Sequence, residues 1–144
     1  MQKLINSFNI KHFKATELLL ASNTVPPKDL WLNIIPTLLI ADQCRDDLGF
    51  AIRITSAYRD KEYNKRTQGS SSKSLHIIFN ALDIMPYSGR MDEIKLLHEW
   101  FGNFKCCANN NICREVMGVG YYHNRVHLDT RGLHGRKKSE WDYR

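Results

Sequence analysis

No stretch of this 144-residue chain approaches the roughly 18 consecutive apolar residues that a membrane span needs, so membrane insertion is not expected. The opening segment, MQKLINSFNIKHFKATE, has no uninterrupted apolar region after its first lysine and so lacks a cleavable signal pattern. Synthesis in the cytoplasm is the expectation. The four cysteines, Cys44, Cys106, Cys107 and Cys113, include no C-x-x-C pair. Without a signal peptide a disulfide scaffold is not expected either, and ordinary reduced thiols are the default. A metal site on Cys106, Cys107 and Cys113 is the alternative for that cluster. Repeats, low-complexity tracts and linkers are absent, so residues 1–144 are treated as a single domain.

Charge is present in excess of one sign. Twenty-one Lys and Arg against 15 Asp and Glu give a formal net charge of +6, which favours polyanionic partners. Nucleic acid, anionic lipid and the acidic polymers of bacterial envelopes all qualify. The basic residues are dispersed apart from a denser patch at RGLHGRKK, and no nucleic-acid-binding motif accompanies them.

The periodicity predicts mixed secondary structure. FKATELLLAS reads as a short helix opened by Thr16. VPPKDLWLNIIPTLLIADQCRDDLG reads as a longer amphipathic helix closed by Gly49, with Leu30, Ile34, Leu38 and Ala41 toward the core. Pro36 inside it predicts a kink or two consecutive helices. FAIRITSAYR switches to period two, DKEYNKRTQ is a polar helical segment, and GSSSKS is a loop. RMDEIKLLHEWFGNF puts Ile94, Leu97 and Phe101 on one side of a helix. EVMGVGYY and RVHLDT read as two strands joined by a turn at His123 and Asn124. The class is α+β, with a small antiparallel sheet packed against helices.

Two of these segments carry residues that an apolar strand should not contain. In RVHLDT, alternation sends Val126 and Leu128 to the core and presents Arg125, His127 and Asp129 on the other face. In SLHIIFNALDIM, Leu82 and Ile84 face the core, which leaves Ala81 and Asp83 opposite. His76 and Asp83 differ in parity and would lie roughly 23 Å apart in extended chain, so they share an ion only if the chain bends between them. The bend is placed at Ile77 to Asn80, with Asn80 the residue best suited to unusual backbone angles. Taken singly, each segment also fits a bland account: a solvated sheet face, a helix-cap aspartate, a surface histidine. Together, two histidines and an aspartate form a ligand set of catalytic zinc, with a fourth position left for water.

SAYRDKEYN, SLHIIFNALDIM and GVGYYHNRVHLDTRG, in this order and separation, resemble the zinc D-alanyl-D-alanine carboxypeptidase family, to which phage endolysins that cut peptidoglycan stem peptides belong. The resemblance covers roughly residues 10 to 135. It implies a fold like that of the lysostaphin-type peptidases and the hedgehog domain, with His76, Asp83 and His127 as zinc ligands. It also implies that Arg59 binds substrate or stabilises the developing oxyanion, and that Ser74 lies near the substrate. Two departures stand out. The family glycine three residues after the first histidine is Phe79 here. The general base that relatives carry three or two residues before the last ligand is replaced by Asn124 and Arg125, which accept no proton usefully. Asp129 and then His123 are the remaining candidates for that role, although Asp129 also fits the orienting partner of His127.

The reading is a monomeric zinc peptidase acting on the peptide part of bacterial peptidoglycan, in the manner of an endolysin held in the cytoplasm until a holin opens the membrane. A carboxypeptidase or dipeptidase acting on D-Ala-D-Ala is one alternative. A zinc-containing, catalytically silent wall-binding module is another. A nucleic-acid-binding protein would explain the charge but leave the three ligands as coincidence.

Overall fold

The computed structural model describes residues 1–107 and 111–144. Two short helices, α1 (Gln2–Ser7) and α2 (Ala15–Leu20), lead in, and the second starts where the Lys14 backbone N–H donates to the Glu17 carboxylate at 2.8 Å. The long proline-containing segment divides as expected. A 3-10 helix over Lys28–Ile34 passes into α3 (Ile35–Leu48) with Pro36 in its first turn, where its missing N–H costs nothing. Gly49 ends α3 in the left-handed conformation at φ 72°.

The remaining elements are β1 (Ile52–Ser56), α4 (Lys61–Arg66), β2 (Ala81–Pro86), α5 (Met91–Asn103), β3 (Gly118–Tyr122), β4 (Arg125–Asp129) and β5 (Ser139–Tyr143). They form one five-stranded sheet in the order β1-β2-β4-β3-β5. The sheet is not purely antiparallel: β5 pairs with β3 in parallel. That strand falls in the charged tail, where its burial alternates too weakly to betray a core face. Leu82, Ile84, Val119, Val126 and Leu128 are fully buried on one face with Leu38, Ala41, Leu97 and Phe101 from α3 and α5. Among the described residues, no helix is long and apolar enough to cross a membrane.

The expectation of reduced thiols fails at two positions. Cys106 and Cys113 form a disulfide, while Cys44 is a buried thiol. The bridge spans an antiparallel pairing of the two cysteines and precedes Arg114, whose guanidinium reaches the Phe101 carbonyl, the Tyr121 hydroxyl at 3.1 Å and Glu140 at 2.9 Å. This one side chain therefore ties the end of α5 to β3 and β5.

The bend between His76 and Asp83 exists, but its unusual residue is Phe79 rather than Asn80. A 3-10 helix over Leu75–Ile78, started by Ser74, ends at Phe79 with φ 54° and ψ 45°. A non-glycine residue pays about 1–3 kcal/mol for that conformation unless its surroundings impose it. Here they do, because the ring is completely buried and meets Tyr58 edge-on. Asn80 instead knots the bend to its neighbours. Its side-chain amide donates to the Asn33 carbonyl at 2.9 Å and the Thr130 hydroxyl at 2.8 Å, and its oxygen accepts from the Thr130 N–H at 3.1 Å. The Thr37 hydroxyl closes the knot by donating to the Asn80 carbonyl at 2.7 Å.

Candidate metal centre

Strand register assembles the site. Across the sheet, Asp83 stands opposite His127, and His127 opposite Gly120, which in turn pairs with Trp141. One step along, Ala81 and Gly118 flank Asp129. This polar face is buried too: Asp83 is 6% exposed, His127 9% and Asp129 0%. The chain reversal at Phe79 then carries His76 back over the same row, with its ring centroid 5.1 Å from that of His127.

His76, Asp83 and His127 each offer a ligand atom, and these atoms lie within 4.8 Å of one another. The histidine nitrogens are sorted by their other contacts. His76 Nδ1 is 2.5 Å from the Ala57 carbonyl, which can only accept, so Nδ1 carries the proton and Nε2 is left with a lone pair. The backbone N–H of Arg59 donates to the His76 carbonyl at 3.2 Å and steadies the ligand from the other side. Nε2 is buried without a hydrogen-bond partner, although Asp83 Oδ1 lies 3.4 Å away. An orphaned buried acceptor aimed at a carboxylate is costly, and a cation between them removes the cost.

His127 presents the complementary pattern. Its Nε2 is 3.0 Å from Asp129 Oδ2 and its Nδ1 is 2.9 Å from Asp83 Oδ1. Burial opposes charge on this ring, and the hydrogen bonds to Asp129 and Asp83 outweigh it, raising its pKa to about 9. Asp129 accepts from the Arg131 N–H at 3.0 Å and from its guanidinium at 2.9 and 2.7 Å, in addition to His127. Burial alone would raise the Asp129 pKa, but these donors hold the carboxyl far below the usual range. Asp83 is likewise lowered against burial by the two histidines, and its second oxygen accepts from Arg59 at 2.8 Å. Arg59 also donates to the Ser56 hydroxyl at 2.8 Å.

The other sequence candidates fall at different distances from this centre. Ser74 caps the 3-10 helix that carries His76 and lines the cleft above the site. Arg59 and Asp129 line the same cleft, whereas His123 is exposed in the β3–β4 turn outside it. Sequence reasoning missed Arg131 and Trp141. The Trp141 ring lies 5.3 Å from His127, under the Arg131 guanidinium at 5.1 Å. A signal for both existed in GVG: a Cβ on Gly118 would overlap the Arg131 guanidinium, and one on Gly120 would overlap the Trp141 indole.

The cleft holds about 580 Å³ and is lined by Arg59, Lys73, Arg125, Arg131, Arg136 and the aromatic rings of Tyr122, Trp141 and Tyr143, among others. The loop before His76 forms one wall. Asn64 fastens it by donating to the Ser71 carbonyl at 2.9 Å, and Arg136 by donating to the Lys73 carbonyl at 2.5 Å.

An α+β domain that opens a His–Asp–His set to a cleft has the architecture of a mononuclear metal-dependent hydrolase. The chain belongs to the Peptidase M15 family, whose model matches residues 11–129. Peptidases of this family are zinc-dependent and act on peptidoglycan. No curated protein and no solved structure is matched by the chain.

Proposed function

We propose that this metallopeptidase hydrolyses an amide bond in the stem peptide or cross-link of bacterial peptidoglycan, as an endopeptidase of the endolysin type. The observation that carries the metal chemistry is the buried, unpartnered His76 Nε2 facing Asp83 and His127. Zinc bound there supplies a Lewis acid for the scissile carbonyl and lowers the pKa of water.

The protein's own groups prepare that centre. Ala57 and Asp129 fix the two imidazole tautomers, and Arg59 fixes the Asp83 carboxylate so that one oxygen faces the histidines. Asp129 is enclosed by four donor contacts and serves to position His127; it has no open direction from which to take a proton. His123, exposed in the β3–β4 turn outside the cleft, is the sequence candidate left to pass that proton to solvent. Ser74 and the fastened loop border the substrate.

An endopeptidase is favoured over a carboxypeptidase by a second depression of about 310 Å³, which shares Arg59, Thr67, Asp83 and Arg125 with the main cleft. A peptide has room in both depressions, which share Asp83 among their lining residues. The test is mass spectrometry of peptidoglycan digested by the zinc-loaded protein, the chelated protein and the His123→Ala variant. New internal peptide termini that require zinc are expected, with a changed pH profile in the variant. Release of terminal D-alanine alone would assign a carboxypeptidase, and intact stem peptides would overturn the substrate.

A further inference from the structure

Resting on that reading, the arginines of the site divide into two kinds. Arg59 is committed to Asp83 and Ser56, and Arg131 to Asp129. Each of these charges is paired with a buried carboxylate. Arg125 differs. Its guanidinium lies over the Tyr122 ring at 4.2 Å and donates weakly to the neighbouring Asn124 side chain at 3.3 Å. Among the described residues, no carboxylate forms an ion pair with it. It is half-buried, and it lines both the main cleft and the smaller depression, at their junction beside Asp83.

We infer that Arg125 is the specificity-determining residue of this site, and that it binds a free carboxylate of the substrate peptide next to the scissile bond. A guanidinium presents paired donors that match a carboxylate, and stacking on Tyr122 holds its plane before the ligand arrives. Half-burial makes the interaction stronger than a surface ion pair, because neither charge is fully screened. The wanted substrate is thus an acidic peptide with an unmodified carboxylate at that point. A chain whose carboxyl is amidated is discriminated against. Lys73 and Arg136 line only the larger cleft and add a general cationic field there.

The experiment uses soluble stem peptides prepared with all carboxyls free or with each amidated in turn, on zinc-loaded wild-type, Arg125→Gln and Arg125→Lys proteins of verified zinc content. Amidation at one position is expected to raise the wild-type KM about tenfold to a hundredfold, the range of a charge-assisted contact, with kcat nearly constant. In Arg125→Gln that penalty shrinks below about twofold, and Arg125→Lys falls between. An undiminished penalty in Arg125→Gln overturns the inference. So does a loss confined to kcat and equal for all peptides, which would place Arg125 at the developing oxyanion. If the wild type cuts none of the peptides, the peptidase reading fails separately. Calorimetric binding of the same peptides then decides the Arg125 contact by the same free-versus-amidated difference.

Discussion

Asp83 and Asp129 stand on adjacent strands, each beside His127 and each paired with an arginine, yet they face opposite sides of the imidazole. Asp83 gives one oxygen to Arg59 and keeps the other toward two histidine nitrogens. Asp129 has both oxygens filled by N–H donors. A carboxylate with an oxygen facing other ligand atoms is fit to bind a cation. A carboxylate saturated with donors is fit to hold a neighbour still. The same residue type, buried in both cases, thus acquires two roles from the direction of its partners.

The strongest test of this contrast removes a front-side group. Asp83→Ala and His127→Ala should each lose stoichiometric zinc by elemental analysis and lower kcat/KM by at least about a thousandfold, several kcal/mol of transition-state stabilisation. Asp129→Asn should act less severely, weakening zinc about 10- to 100-fold in a competition titration, the usual cost of losing a group that orients a ligand. If Asp129→Asn loses zinc as completely as Asp83→Ala, the front and back of His127 are not distinct. Gly120→Ala sits a strand further out. Its methyl displaces the Trp141 indole, and a several-fold rise in KM with about 1–3 kcal/mol lost in denaturant unfolding is expected, zinc content being retained. Cys106→Ser should leave kcat/KM within twofold and lower stability by about 2 kcal/mol, as suits the opening of a short loop.

Period-two alternation made β1, β2, β3 and β4 legible, and parity then exposed Asp83, His127 and Asp129 as polar groups on apolar strands. His76 needed the family pattern, because a residue brought back by a chain reversal has no fixed phase with the strand that follows. β5 was hidden because an edge strand with mostly exposed residues resembles a charged tail. Trp141 and Arg131 were hidden with it, their only trace being the clearance that Gly118 and Gly120 provide. The bridge between Cys106 and Cys113 depends on redox conditions as much as on spacing, so cysteine counting could not reveal it.

Phe79 ties the chemistry of the site to the interior of the protein. Its left-handed backbone costs about 1–3 kcal/mol, and burial of its ring returns a similar amount, so the reversal persists only while the ring stays packed. That reversal is also what sets the separation between His76 and Asp83. Loosening the core around the ring therefore lets the ligands drift before the sheet comes apart. In this molecule the affinity for metal doubles as a gauge of core integrity, and a zinc titration reads the packing of an aromatic ring that never touches the ion.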